Sequence, residues 1–188
     1  VLGLGVGFEP NALDGDDARF TNQQTDGGNE KGRFASYAST LVPSYTMSEK
    51  EMADDGTPGT FWYTCAFKTK QDCVSNPYAF TNAQGITTLM STVSVPLMRG
   101  DSVLGVLCVD LSLASLQELV ERSSRALYGG NAQVSFISAD GVVAARSGEP
   151  QAAGKPLVSV DPELGKQISA STKGDTPEVL ERDGNVVV

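Results

Sequence analysis

The stretch ITTLMSTVSVPLMRGDSVLGVLCVDL, residues 86–111, decides the fold of this chain. Two runs of apolar and small residues, 86–98 and 102–111, flank the turn sequence Arg99-Gly100-Asp101. This pattern is typical of a long β-hairpin. Because both arms are almost continuously apolar or small, helices are expected to cover part of the sheet. The stretch therefore predicts a hairpin in the middle of an antiparallel sheet.

Weaker patterns on either side of this hairpin predict the other elements. Ser48 and Ser115 each begin a Ser-x-x-Glu pattern, which is the capping box of a helix start. Asp161-Pro162 combines an N-cap residue with a proline at the first helical position. The predicted elements are strands over residues 1–8, 32–38 and 61–67, a short helix from Ser48, a helix over residues 115–127, a hairpin over residues 132–146, a helix from Asp161 and the start of a third hairpin over residues 178–188. Antiparallel hairpins combined with helices on one face predict an α+β fold.

The composition narrows the classes of function. The 188 residues carry a formal net charge of −9, and such a surface repels nucleic acid and favours cationic solutes. The chain contains no histidine, which excludes Ser-His-Asp and Cys-His catalysis and removes the commonest zinc ligand. No catalytic residue, metal ligand or cofactor is predicted, and no nucleic-acid partner.

A disulfide between two of the three cysteines would indicate an oxidising compartment. Cys65 and Cys73 flank a polar segment that is predicted to be a hairpin loop, and a disulfide across this loop is the preferred interpretation. Two free thiols are the alternative. Cys108 lies in an apolar run and is predicted to be a small buried residue.

No signal peptide and no apolar run long enough to span a bilayer is found in the sequence. The first residues already fit a strand, and the last residues follow a turn signal. We expect the chain to be a region of a longer protein whose membrane segments lie outside it.

Two glycine- or aspartate-rich motifs fit no established ligand site. Gly3, Gly5 and Gly7 lie within a predicted strand rather than at a strand-to-helix turn, so their spacing does not indicate phosphate binding. Residues 14–17, Asp-Gly-Asp-Asp, resemble a calcium loop in composition but lack the bidentate glutamate. They are predicted to form a turn.

Aromatic residues and one carboxylate form the main candidate site. Trp62 and Tyr63 are adjacent, Tyr78 follows the cysteine-bounded segment, and Asp110 ends the central hairpin. In one interpretation the aromatic residues belong to the core and Asp110 leads into a helix. In the other they form an aromatic cage with a carboxylate, which suits a cationic ammonium group.

Several ordered blocks resemble the double-Cache sensor domains of bacterial methyl-accepting chemotaxis proteins. The blocks are residues 8–17, 32–34, 62–63, 76–78 and 105–111, and the resemblance covers roughly residues 1–150. It implies a PAS-like, membrane-distal ligand-binding unit over residues 1–113, a connecting helix over 114–130 and part of a membrane-proximal unit over 131–188. It also implies a non-enzymatic periplasmic region of an inner-membrane receptor that is homodimeric at full length. The helix that usually mediates dimerisation is not identified here, so the chain alone is expected to be monomeric.

The resemblance also assigns roles to the candidate residues. In amino-acid-binding members, an Arg-x-Trp-Tyr motif places the arginine on the ligand carboxylate, while a later tyrosine and an aspartate hold the ammonium. Trp62, Tyr63, Tyr78 and Asp110 match this pattern, but Thr60 occupies the arginine position. Thr60 lacks the bidentate fork that a carboxylate prefers. The expected ligand is therefore an amine without an α-carboxylate: a biogenic amine, a polyamine or a quaternary amine.

Two further residues bear on the ligand. Tyr37 is predicted to form a wall of the site. Arg33 is a second candidate for carboxylate binding, with a surface or loop-anchoring arginine as the alternative.

Other functions stay open at this point. The same type of sensor would bind an amino acid or organic acid, or would belong to a histidine kinase or a diguanylate cyclase. Two alternatives belong to other classes of function. One is a periplasmic hydrolase that uses carboxylates such as Glu9 and Asp14, and the other is a purely structural or adhesive domain.

Overall fold

A seven-stranded antiparallel sheet dominates the first part of the computed structural model, which describes residues 1–40, 43–81, 87–170, 180–182 and 185–187. Its strands are β1 (Gly3–Phe8), β2 (Ala35–Ser39), β3 (Tyr45–Thr46), β4 (Cys73–Val74), β5 (Tyr78–Thr81), β6 (Thr87–Arg99) and β7 (Ser102–Ser112). They lie in the order β3-β2-β1-β7-β6-β4, and β5 also pairs with β6. The predicted α+β fold, a central antiparallel sheet with flanking helices, is confirmed.

The predicted hairpin of β6 and β7 lies at the centre of this sheet. Its two strands pair from Met90 with Ser112 to Arg99 with Ser102, and β1 pairs with the other side of β7. The register shifts by one residue between Leu97 and Met98. Ile86, the predicted first residue of the hairpin, lies outside the described residues.

The predicted strand over residues 61–67 is wrong, because these residues belong to helix α1 (Pro58–Thr69). Aromatic residues favour strands only weakly, and tertiary packing overrides such a preference. Proline at the first helical turn suits a helix start, and the buried side chains of Tyr63 and Ala66 recur at helical spacing. Helix α1 packs on the inner face of β6 and β7.

The disulfide between Cys65 and Cys73 is present in the structure, although it does not close a hairpin loop. Cys65 lies in α1 and Cys73 lies in β4, so the bond joins the helix to the sheet edge. Cys108 is a free, buried thiol on the inner face of β7.

The predicted helix start at Ser48 is a 3-10 turn, Glu49–Met52. Ser48 donates its backbone N–H to the Glu51 carboxylate at 2.8 Å, as the capping-box pattern predicts.

The main core lies between α1 and the inner face of the sheet. Its buried members are Ala35, Met47, Met52, Trp62, Tyr63, Ala66, Cys73, Val106 and Cys108, with Tyr37 packed against them. The glycines of β1 form part of the floor of this core. A Cβ atom at Gly3 would lie 2.2 Å from the Tyr37 hydroxyl oxygen, and one at Gly5 would lie 2.7 Å from the Cys108 sulfur. The Gly-x-Gly-x-Gly run therefore leaves room for larger side chains of neighbouring strands.

Helix α2 (Leu113–Ala126) connects the sheet to the second part of the chain. It begins two residues before the predicted start at Ser115, with Ser112 at the N-cap position. Leu113 is buried at 3 % exposure, and its packing extends the helix beyond the capping-box pattern.

The second part of the chain has a small core of its own. Its elements are β8 (Ser135–Ile137), β9 (Val143–Arg146), α3 (Leu157–Val160), α4 (Pro162–Ala170), β10 (Leu180–Arg182) and β11 (Asn185–Val187). The strands form two hairpins, as predicted, and α4 begins at the predicted proline. Val143, Ala152 and Leu157 are buried together in this core. Within the described ranges, no helix is long and apolar enough to cross a membrane.

Candidate functional site

The carboxylate of Asp110 lies on the inner face of β7 and is 7 % exposed. The Tyr37 hydroxyl donates a hydrogen bond to its Oδ2 at 2.7 Å, and the Thr92 hydroxyl donates to its Oδ1 at 2.6 Å. The strands place both donors. Thr92 is the cross-strand partner of Asp110 on β6, while Gly3 is its partner on β1 and leaves room for the Tyr37 hydroxyl.

Tyr78 joins Asp110 through Thr92. The Tyr78 hydroxyl oxygen lies 2.9 Å from Thr92 Oγ1. Ser75 holds the backbone of Thr92 from the other side: its Oγ accepts the Thr92 N–H at 2.8 Å, and its N–H donates to the Thr92 carbonyl at 2.9 Å. We call the side chains of Tyr37, Tyr78, Thr92 and Asp110 the carboxylate cluster.

The negative charge of the carboxylate cluster resides on Asp110. Burial raises the pKa of Tyr78 to about 12, with a further contribution from Asp110. Burial and the hydrogen bond to Asp110 also raise the pKa of Tyr37. Both phenols are therefore neutral donors near pH 7. No lysine or arginine in the described part of the chain forms an ion pair with Asp110. A buried carboxylate without a cationic partner is costly, so the cluster is suited to accept a cation.

Arg33 and Tyr63 belong to a separate network. The Arg33 guanidinium is buried and donates to Glu49 at 2.9 Å, to Glu9 at 3.2 Å, to the Tyr63 hydroxyl at 2.8 Å and to the Phe8 carbonyl at 2.8 Å. The Tyr63 hydroxyl also donates to Glu9. We call Arg33, Glu9, Glu49 and Tyr63 the arginine cluster. The structure thus places Arg33 as a loop-anchoring residue that forms ion pairs with two glutamates.

Trp62 and Thr60 occupy the part of α1 that the sequence singled out. Trp62 is 6 % exposed and its ring meets Tyr63 edge-on, with 5.3 Å between the centroids. Thr60 is buried, and its hydroxyl donates to the Asp55 carboxylate at 2.7 Å. The hydrogen bonds therefore unite Tyr37, Tyr78 and Asp110, whereas Trp62, Tyr63 and Arg33 lie in the core or in the arginine cluster.

A surface cavity of about 220 Å³ lies elsewhere, in the loops between β1 and β2. Its lining includes Asp14, Asp17 and Asp26 together with two phenylalanine rings. Asp17 is buried and exchanges hydrogen bonds with Asn11, and Asp14 accepts the Asp16 N–H at 2.9 Å. The residues predicted to form a turn thus stabilise the loop.

Sequence reasoning missed Thr92 and Ser75. The predicted hairpin could have suggested a partner for Asp110, but counting back from the turn pairs Asp110 with Ser91. The register shift between Leu97 and Met98 moves the pairing by one residue and places Thr92 opposite Asp110. Adjacent strand residues point to opposite faces, so this shift decides which side chain meets the carboxylate.

Comparisons with known proteins agree with this fold. Residues 1–118 match the family model "Methyl-accepting chemotaxis protein-like, first PDC sensor domain". The methyl-accepting chemotaxis protein TlpQ of Pseudomonas aeruginosa is 40 % identical over 172 residues, which cover 87 % of this chain and 24 % of that protein.

Two solved structures share the architecture. An extracellular domain assigned to a histidine kinase, mmHK1S-Z3, has a TM-score of 0.64 at 22 % identity, over 90 % of this chain and 58 % of that one. Methyl-accepting chemotaxis protein X has a TM-score of 0.59 at 25 % identity, over 88 % of this chain and 60 % of that one. This chain thus spans about a quarter of the length of the curated relative and less than two thirds of each solved chain.

Proposed function

This chain belongs to the family of methyl-accepting chemotaxis protein-like first PDC sensor domains, and from this premise we propose that it binds a small amine and signals across a membrane. It is a sensor domain of the chemoreceptor type. In the proposed setting it is the periplasmic, non-enzymatic region of an inner-membrane receptor, which is a homodimer at full length.

The single observation that carries the amine proposal is the buried carboxylate of Asp110. Two hydroxyl groups donate to it, and within the described ranges no basic side chain pairs with it. An ammonium ligand would supply the missing positive charge through a charge-assisted hydrogen bond. The net charge of −9 also favours the approach of a cation.

The carboxylate side of an amino-acid ligand lacks a comparable partner. At the position that carries arginine in amino-acid-binding members, the Thr60 hydroxyl is engaged by Asp55. The guanidinium of Arg33 is engaged by Glu9 and Glu49. Both observations support an amine without an α-carboxylate over the alternative of an amino acid or organic acid.

Two polar contacts supply the proposed signal route to the second part of the chain. Helix α2 begins at Leu113, three residues after Asp110, and its Gln117 side chain bonds both the N–H and the carbonyl of Arg146 in β9. Asn76, two residues before Tyr78, donates to Asp140 in the second hairpin at 2.8 Å. A ligand would shift the arrangement of these parts only by its differential affinity for the two states.

The other candidate functions have less support. A hydrolase that uses Glu9 is disfavoured because the arginine cluster engages this carboxylate. A purely structural domain predicts that no small molecule stabilises the fold. The geometry of the site favours none of the three output domains, that of a chemoreceptor, a histidine kinase or a diguanylate cyclase.

A thermal-shift experiment on the purified chain tests the proposal. Amines, amino acids, organic acids and sugars are compared, and a bound amine at one hundred times its Kd is expected to raise the Tm by roughly 5–10 °C. Asp110→Asn is expected to abolish this shift. Asp101→Asn, the same change in the exposed hairpin turn, serves as the control and keeps it. Stabilisation by carboxylates alone, or by amines in Asp110→Asn, contradicts the proposal.

A further inference from the structure

Thr92 sets the direction of the hydroxyl protons in the carboxylate cluster. Its side chain is 1 % exposed and lies between Asp110 Oδ1 at 2.6 Å and the Tyr78 hydroxyl at 2.9 Å. A threonine hydroxyl has one proton, and an ionised carboxylate can only accept. The Thr92 proton therefore points to Asp110, and the Tyr78 proton points to Thr92.

The third hydroxyl of the cluster also points inward. Tyr37 donates its proton to Asp110 Oδ2 at 2.7 Å. All three hydroxyl protons are thus donated inside the cluster. Tyr37, Tyr78 and Asp110 can form further hydrogen bonds only as acceptors, through their lone pairs. A ligand at this cluster meets hydrogen-bond acceptors and no hydroxyl donor.

We propose that Thr92 is a positioning and specificity-determining residue, and that it makes the site select a primary ammonium over a quaternary one. The inference depends on the proposed function, namely amine binding at Asp110. A primary ammonium carries three N–H donors that match the acceptors of the cluster, as the three donors of a lysine ammonium would. A trimethylammonium group has no N–H donor and leaves these acceptors unpaired and desolvated.

The aromatic residues support this selectivity. Quaternary ammonium groups are typically bound by the faces of several exposed aromatic rings. Here Trp62 and Tyr63 are only 6 % and 4 % exposed and pack against each other in the core. Only Tyr37 and Tyr78 of the predicted cage are half-buried, and they contribute hydroxyl groups to the cluster.

Substitutions at Thr92 separate the effect of its hydroxyl group from the effect of its volume. Thr92→Val keeps the volume of the side chain but removes one donor to Asp110 and one acceptor of the Tyr78 proton. The Tyr78 hydroxyl can then turn its proton toward the ligand. Thr92→Ser retains the hydroxyl and should retain the directions of all protons, so it is the matched control.

Calorimetric titration of the purified chain with two matched pairs of probes tests the inference. The pairs are ethanolamine with choline, and butylamine with butyltrimethylammonium; the members of each pair differ only in the methylation of nitrogen. The wild type and Thr92→Ser are expected to bind the primary amine at least about tenfold more tightly, which corresponds to one hydrogen bond to a charged group. Thr92→Val is expected to lose at least about tenfold in affinity for the primary amine and little for the methylated one.

The outcomes separate this inference from the proposed function. Equal binding of both members of a pair by the wild type, or an unchanged ratio in Thr92→Val, overturns the role of Thr92 while amine binding stands. Absence of binding by all four probes overturns the selectivity for a primary ammonium, and together with the absence of any amine-induced Tm shift it overturns amine binding as well. Circular dichroism melting checks the fold of Thr92→Val. If this variant does not fold, Tyr78→Phe takes its place, since it removes the proton aimed at Thr92. This variant must then reduce the ratio of the affinities for the primary and the methylated amine.

Discussion

At the residue scale, Asp110 shows how a carboxylate is held in a protein interior without a cation. Its two oxygens accept from hydroxyl groups of residues on β2 and β6, at 2.7 Å and 2.6 Å. Hydrogen bonds to a charged group contribute about 1.5–3 kcal/mol each. These contacts offset part of the desolvation of Asp110 while leaving its charge uncompensated, which is the state expected of a site that receives a cation.

The neighbours of Asp110 predict an alkaline loss of stability. Burial raises the pKa of Tyr78 from 10.0 to about 12, and burial raises the pKa of Cys108 from 9.0 to about 12. Between pH 9 and 12 the folded chain therefore retains protons that the unfolded chain has lost. The stabilisation from these groups is complete below pH 9, and the free energy of unfolding falls as the pH rises toward 12.

Urea unfolding at successive pH values measures this effect. The pKa values of other tyrosines, Tyr37 among them, are raised as well. Tyr78→Phe removes one of these contributions, so its free energy of unfolding should fall less steeply between pH 10 and 12. Tyr128→Phe changes a tyrosine that is 80 % exposed and should follow the wild type. A Tyr78→Phe profile parallel to the wild type would show that this phenol does not titrate as expected.

At the element scale, α1 owes its position to the sheet beneath it and to the disulfide. Trp62, Tyr63 and Ala66 are buried between the helix and the sheet. The bond between Cys65 and Cys73 ties the second half of α1 to β4. Residues 75–77 lead from β4 into β5, which carries Tyr78. The disulfide therefore supports one wall of the carboxylate cluster.

Loss of this disulfide is expected to lower the free energy of unfolding by about 2–3 kcal/mol, since the bond closes a loop with a sequence separation of 8. Denaturant unfolding with and without a reductant measures the difference. The double variant Cys65→Ser and Cys73→Ser should match the reduced wild type and should not respond to the reductant. Equal stability of the oxidised and reduced wild type would contradict the prediction.

At the scale of the whole molecule, the two cores are joined by α2 and by a few polar contacts. Gln117 bonds both backbone groups of Arg146, and Glu121 accepts the Gly148 N–H at 2.8 Å. Arg146 in turn is buried and pairs with Glu149 and Asp161. These contacts fasten the helix that follows Asp110 to the second core. The domain limits 1–113, 114–130 and 131–188 and the monomeric state of the chain stay predictions.

Hydrogen exchange should reveal the attachment of α2. Gln117→Ala removes the acceptor of the Arg146 N–H, which donates to Gln117 Oε1 at 3.1 Å. Exchange of the Arg146 amide is expected to accelerate by roughly fivefold to tenfold, the effect of one net hydrogen bond. Gln71→Ala, at an exposed position, is the control. Unchanged exchange over residues 143–148 in Gln117→Ala would show that the contact does not hold the second core.

The sequence by itself determined most elements of this fold and part of the site. The apolar arms around residues 99–101 predicted the central hairpin, and the cysteine spacing predicted the bond between Cys65 and Cys73. These features depend on neighbours along the chain, whose preferences a sequence displays directly. Tyr37, Tyr78 and Asp110 were also named from the sequence, and the structure joins them through Thr92.

The tertiary structure alone decided the rest. Packing against the sheet made residues 58–69 a helix although their aromatic residues favour a strand. Arg33 meets Glu9 and Glu49, which lie 24 and 16 residues away, so its engagement depends on how the loops fold together. The shift of register between Leu97 and Met98 places Thr92 opposite Asp110. Such partners follow from the register of paired strands and from packing between distant segments, and no local pattern of residues encodes them.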